Sequence, residues 1–207
     1  MIQARTAHEL EAVNESIRVL NTLTDQDYQN LKYRSELARA YRDREKVCSR
    51  DNQRSESENA IRQSIELFEQ LLKENQDSEA VRYELAMTLS STEAFNFNQM
   101  LRAIHADELS TALLESAPDL PRYKALKAHT LQSLASHRQR VGIFGHAERT
   151  LSEAIRIYDS LIEDTTESSI YETQRALAFE SMADLKLRDG DSQSAIEYLE
   201  RAIDRLQ

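Results

Sequence analysis

One pattern of residues returns along this chain at steps of 48, 42 and 48, and that spacing constrains the fold more than any single motif. Tyr33, Ala38 and Tyr41 return as Val81, Ala86 and Leu89, then as Tyr123, Ala128 and Leu131, then as Tyr171, Ala176 and Phe179. A second pattern steps by the same amounts: Ser16, Leu20 and Leu23; Ser64, Phe68 and Leu71; Ala106, Ser110 and Leu113; Ala154, Tyr158 and Leu161. Repeats of this length form solenoids, in which each unit buries its apolar face against its neighbours. Such a chain is more often a surface for holding something than a pocket for chemistry.

Within each repeat, apolar positions fall at steps of 3, 4 and 7, as in Leu31, Leu37, Ala38 and Tyr41, or Ile65, Phe68, Leu71 and Leu72. That is the periodicity of a helix with one buried face. The spacing predicts nine helices, at 6–24, 28–49, 55–74, 78–97, 99–116, 121–140, 146–163, 168–188 and 191–206. Composition agrees: three glycines and two prolines in 207 residues are too few for a sheet with many tight turns. The breakers fall between the predicted helices. Pro118 and Pro121 lie at the junction of the fifth and sixth, Gly142 and Gly145 flank the turn before the seventh, and Gly190 suits a left-handed cap before the ninth. No linker interrupts the array, so residues 1–207 read as a single repeat domain. The chain opens and closes on the second helix of a repeat, which suggests a piece of a longer protein.

The last repeat carries a family resemblance. From Phe179 the chain reads FESMADLKLRDGDSQSAIEYLERAI, with Phe179, Met182, Ala183, Gly190, Ala195, Leu199 and Ala202 at the positions of the tetratricopeptide signature. The chain therefore resembles the tetratricopeptide repeat family. The resemblance implies an all-α, right-handed α-solenoid of antiparallel helix pairs, in which small residues let paired helices approach. The match weakens earlier: Leu134 and Ala135 fit the Met182-Ala183 position, whereas Thr92-Glu93 and Arg44-Glu45 do not. The 48-residue step exceeds the family's usual 34 by 14, or two heptads, and adding seven residues to a helix keeps its buried face nearly in register. Longer helices are expected, with splayed loops near 49–55 and 140–146. This spacing is similar to that of repeat regions attached to bacterial serine/threonine kinases and other multidomain regulators.

Catalytic signatures are missing: there is no phosphate-binding glycine loop, no HExxH and no nucleophile elbow. No enzyme activity, cofactor or metal is expected. His129 and His137 stand about 12 Å apart along one helix, too far for a shared metal. His8 and His146 occupy equivalent positions just before second helices, which suggests capping. Cys48 is the only cysteine, so no internal disulfide forms. Its neighbours Lys46 and Arg50 would activate the thiol, and its helical setting would leave it inert. Asp107 stands where Ile17, Ile65 and Ile155 stand, marking the fifth helix as the weak point of the array.

Charge gives the most suggestive pattern. The net charge is −10, yet residues 1–52 balance nine basic against nine acidic residues. An acidic chain repels nucleic acid and anionic lipid. No run approaches the length of a membrane helix. The first residues do not form a signal peptide, which favours the cytoplasm. In tetratricopeptide arrays the first helices line the concave face. Carried over, that geometry places Arg39, Arg42, Lys46 and Arg50 in the groove of the first complete repeat, and His129, Gln132, Ser136 and Arg140 in the third. Glu180 and Asp184 would follow in the fourth. The expected function is a non-catalytic scaffold that binds a protein or peptide, with an acidic segment near the arginines. The alternative is a structural module that self-associates through its open ends. A solvated face, with the cations paired to Glu36, Asp43 and Glu45, is the plain reading of the same stripe.

Overall fold

A computed structural model describes residues 2–91, 97–164 and 168–203. Among them the chain forms nine α-helices and no strand: α1 (Ile2–Gln26), α2 (Leu31–Arg50), α3 (Arg54–Glu74), α4 (Glu79–Ser90), α5 (Phe97–Ser116), α6 (Pro121–Arg140), α7 (Phe144–Asp164), α8 (Ser168–Arg188) and α9 (Ser192–Ile203). The helices divide into two compact units, Met1–Thr88 and Leu89–Gln207.

In the first unit α2 packs on both α1 and α3. Leu37, Ala38, Val47 and Cys48 of α2 are buried, as are Ala60, Ile61, Ile65, Phe68 and Leu71 of α3. Ala38 shows why the repeat needs a small residue. With no side chain beyond Cβ, it exposes its own carbonyl, and the buried Ser64 hydroxyl of α3 donates to it at 2.7 Å. The equivalent Ala86, Ala128 and Ala176 are buried too, as is Ala195. Of the large residues expected to fill the layers, Phe68, Leu131, Tyr158 and Phe179 are buried, whereas Tyr41 is only partly so. In α1, which packs on α2, Ile17 is buried but Leu20 and Leu23 stay partly exposed.

In the second unit α5, α6, α7, α8 and α9 pack in chain order, and α6 also touches α8. Residues of α6, α7, α8 and α9 share one apolar cluster, including Leu131, Leu151, Ile155, Tyr158, Phe179 and Met182.

The turns between first and second helices differ from expectation. In place of splayed loops near 49–55 and 140–146 there are three-residue turns, and the extra length of the repeat lies in the helices. Each turn places one residue at positive φ: Asn52 (57°), Gly142 (79°) and Gly190 (85°). The residue after it donates back five positions: Gln53 to Cys48, Ile143 to Arg138 and Asp191 to Lys186, at 2.9, 2.9 and 2.8 Å. This is the left-handed helix cap, and a side chain at Gly142 or Gly190 would meet the φ penalty, not a neighbour. Asn is the residue that best tolerates the same conformation without being glycine.

Three other expectations need correction. The fourth helix ends at Ser90, not at 97, at a pair of serines, a residue type that weakens helices; residues 92–96 lie outside the described residues. At 12 residues α4 is eight shorter than α2, and this is where the 42-residue step arises. His8 and His146 lie inside α1 and α7, so neither caps a helix; the real starts come earlier than periodicity suggested. Asp107 is not left without a partner. Its carboxylate meets Lys127 of α6 at 2.6 Å, and the buried Ser110 hydroxyl pairs with Thr130 at 2.8 Å.

Candidate functional site

The first unit gathers the basic stripe on α2. Steps of 3, 4 and 4 put Arg39, Arg42, Lys46 and Arg50 on one helical face. All four have acidic partners. Arg39 bonds Glu36 on its own helix at 2.7 Å and Glu84 on α4 at 2.8 Å. Arg42 meets the other oxygen of Glu84 at 2.9 Å and donates to the Thr88 hydroxyl at 3.2 Å. Lys46 meets Asp43 at 3.1 Å, and Arg50 meets Glu9 of α1 at 2.9 Å.

The stripe therefore has two kinds of cation. Arg42 is largely buried and, with Arg39, ties α2 to α4 through one carboxylate. Lys46 and Arg50 are more than half exposed; Asp43 is exposed and Glu9 partly so, and Arg50 also donates to the Lys46 carbonyl at 3.2 Å. Exposed pairs of that kind contribute about 0–1 kcal/mol each, so another carboxylate could displace them. Of the predicted partners, Glu36 and Asp43 take part, whereas Glu45 is buried and accepts from Ser57 of α3 instead. Glu84 was missed because it lies one repeat away. The signal was there: Glu84 follows Glu36 by 48 residues, so the position is acidic in two successive repeats.

The second unit holds the other four predicted residues on α6. His129, Gln132 and Ser136 are partly buried and Arg140 is exposed. Burial pushes the His129 imidazole below its usual value. The Ser136 hydroxyl turns back to donate to the Gln132 carbonyl at 3.1 Å. The bridge from α6 to α8 is Gln139, which donates to Asp184 at 3.0 Å; Asp184 also faces Arg188 at 3.3 Å. Asp184 is thus engaged within its own unit.

Two polar links recur with the repeat, and neither was anticipated. Arg34 and Glu74 join the start of α2 to the end of α3 through two bonds of 2.5 and 2.8 Å, with the guanidinium over the Tyr28 ring. Ninety residues on, Lys124 and Asp164 form the same link between α6 and α7 at 3.3 Å. The bond from Arg34 lowers the Glu74 carboxyl below its usual range. Arg175 reaches Asp159 at 2.5 Å, and 48 residues earlier Lys127 reaches Thr111 at 2.7 Å.

Among the described residues no group of three His, Cys, Asp or Glu could hold a metal. Among the described residues no helix is long and apolar enough to cross a membrane. Cys48 is buried, and burial raises its thiol above the usual value despite Arg44 nearby.

No family model matches the chain, and no curated protein sequence matches it. Among solved structures, the ArsTM double mutant of MamA from RS-1 aligns over 98% of this chain and 90% of its own, with 11% sequence identity and a TM-score of 0.52. The fold is tetratricopeptide-like. BtubC from P. vanneervenii aligns at a TM-score of 0.44, with 14% identity over 96% of this chain and 90% of its own. A MamA fragment, 41-end, from Desulfovibrio magneticus RS-1 aligns at 0.42, with 11% identity over 91% and 94%.

Proposed function

We propose that this chain is a non-catalytic protein-interaction scaffold that holds a peptide or protein segment against the exposed faces of its first helices. The observation that carries the reading is the split within the α2 stripe. Arg39 and Arg42 are committed to Glu84, while Lys46 and Arg50 are exposed and their carboxylate partners Asp43 and Glu9 are replaceable. An acidic segment of the partner exchanges with Asp43 and Glu9 at these two positions. Gln132, Ser136 and Arg140 offer the second unit's polar contacts, with His129 beside them as a neutral ring.

The test is capture of partners from the source cell extract by the wild type and by two charge-reversed variants. Lys46→Glu/Arg50→Glu is expected to keep its melting temperature and lose the partner. Arg39→Glu/Arg42→Glu is expected to lower the melting temperature, because it sets two carboxylates against Glu84. A partner retained by Lys46→Glu/Arg50→Glu would remove α2 from the binding site, and turnover of a substrate by the purified chain would end the scaffold reading.

A further inference from the structure

The pair between Arg50 and Glu9 differs from the other contacts of the α2 stripe in where its acid comes from. Glu36 and Asp43 stand on α2 itself, three residues from Arg39 and Lys46, and move with that helix. Glu84 belongs to α4, is mostly buried and is shared by Arg39 and Arg42. Glu9 comes from α1 and reaches the exposed end of the stripe. Arg50 is set to receive a carboxylate from that side. Its Nε donates to the Lys46 carbonyl at 3.2 Å, which holds the guanidinium against the last turn of α2. Its Nη2 then meets Glu9 at 2.9 Å. A carboxylate arriving from outside finds this edge of the group already occupied.

The repeat shows that this acid is not needed to build the helix pair. Position 9 returns as Ser57, Gln99, Ala147 and Ala195, none of them a carboxylate. Arg50 returns as Arg188 on α8, which packs on α7 as α2 packs on α1. There the buried Ala147 stands in place of Glu9, and Arg188 turns to Asp184 of its own helix at 3.3 Å. A contact of this kind therefore forms without an acid from the preceding second helix, and Glu9 is an addition to it.

We propose that α1 is an internal competitor for the α2 stripe: Glu9 occupies Arg50 in the free chain and must leave before a partner's carboxylate can bind there. This rests on the reading of α2 given above and adds its regulation. The apparent affinity of the site is lowered by the fraction of molecules in which Arg50 is free. The coupling is reciprocal, so an acidic segment bound at Lys46 and Arg50 loosens the hold of α2 on the start of α1. Whatever draws Glu9 away or removes its charge strengthens binding at Arg50.

The test uses a fluorescein-labelled hexaglutamate peptide, its binding to the full chain followed by fluorescence anisotropy at fixed ionic strength. Glu9→Gln is expected to bind it about two- to fivefold more tightly than the wild type, the ratio that one partly exposed ion pair supplies. Glu11→Gln removes the same charge from the same helix two residues on, about 200° round its axis, and is expected to change the affinity little. Lys46→Glu/Arg50→Glu is expected to abolish binding. In the wild type, amide exchange around Glu9 is expected to quicken when the peptide binds; in Glu9→Gln the peptide is expected to leave it unchanged. Equal gains in Glu9→Gln and Glu11→Gln would reduce the effect to net charge, and equal affinity of Glu9→Gln and wild type would show that Glu9 does not compete. Either result overturns the proposal and leaves the reading of α2 standing. Binding that survives Lys46→Glu/Arg50→Glu, or no binding by any of the proteins, would overturn both.

Discussion

The contact of α5 with α6 and that of α7 with α8 are built from equivalent positions and partly different materials, although ion pairs cross both. Where α7 carries Leu151, Ile155 and Tyr158, α5 carries Ala103, Asp107 and Ser110. The partner helices change with them: α8 presents Arg175 and Ala178, and α6 presents Lys127 and Thr130. Apolar contact is replaced by an ion pair and a hydroxyl pair, Asp107 with Lys127 and Ser110 with Thr130. The backbone register is the same, so a repeat position specifies where two helices meet and leaves open what holds them. The difference lies in tolerance. An apolar seam loses energy in proportion to the volume removed, whereas a polar seam fails when one partner leaves the other buried.

Truncation of the apolar cluster should have the largest effect. Phe179→Ala is expected to remove about 3–5 kcal/mol of stability in denaturant unfolding, and Leu131→Ala, its counterpart on α6 in the same cluster, about 2–4 kcal/mol. No loss at either position would mean that the cluster does not hold the unit together. Next comes Lys127→Met, which strands the Asp107 carboxylate and should cost about 1–3 kcal/mol; Lys127→Met/Asp107→Leu should recover most of that. Absence of recovery would break the claim that the polar pair stands in for an apolar one. Thr130→Val alone should cost about 1 kcal/mol, by removing a partner of the buried Ser110 hydroxyl. In the apolar seam the Tyr158 hydroxyl is buried and bonds no described group, so Tyr158→Phe should be neutral or stabilising by up to about 1 kcal/mol. A clear loss there would reveal a polar contribution.

The smallest effect is a pH dependence that arises from the histidines of α6. Burial lowers the pKa of His129, and burial together with Arg140 lowers that of His137. The unfolded chain therefore binds more protons than the folded one as pH falls through and below about 6.5, the ordinary histidine value. The histidine contribution is fully present above that pH and is lost on acidification. Melting temperatures of wild type and His137→Gln, followed downward from pH 7.5, should diverge, with the wild type losing more.

Most of the architecture was legible because it repeats. Helix number, the buried alanines and the left-handed Gly190 all followed from the 48-residue step and local propensity. The short α4 did not, because periodicity extends a helix through any residue that does not oppose it, and serines oppose it only weakly. Asp107 was misjudged for a related reason: reading one column of the repeat shows an acidic residue among isoleucines, and its compensation by Lys127 sits in another column. The basic stripe was read correctly as a stripe and incompletely as a set of charges. Local spacing finds Glu36 and Asp43 within a helix, but Glu84 reaches the stripe from the next first helix.

The turn shared by Asn52, Gly142 and Gly190 bears on how the chain acquires its structure. Each turn closes a hairpin between helices adjacent in sequence, so most contacts made early are local, and chains dominated by local contacts fold quickly. Three separate places can start the process, and growth spreads from each to its neighbours. Replacing Gly142 or Gly190 with a β-branched residue would slow the closing of that one hairpin and leave the others to begin on time.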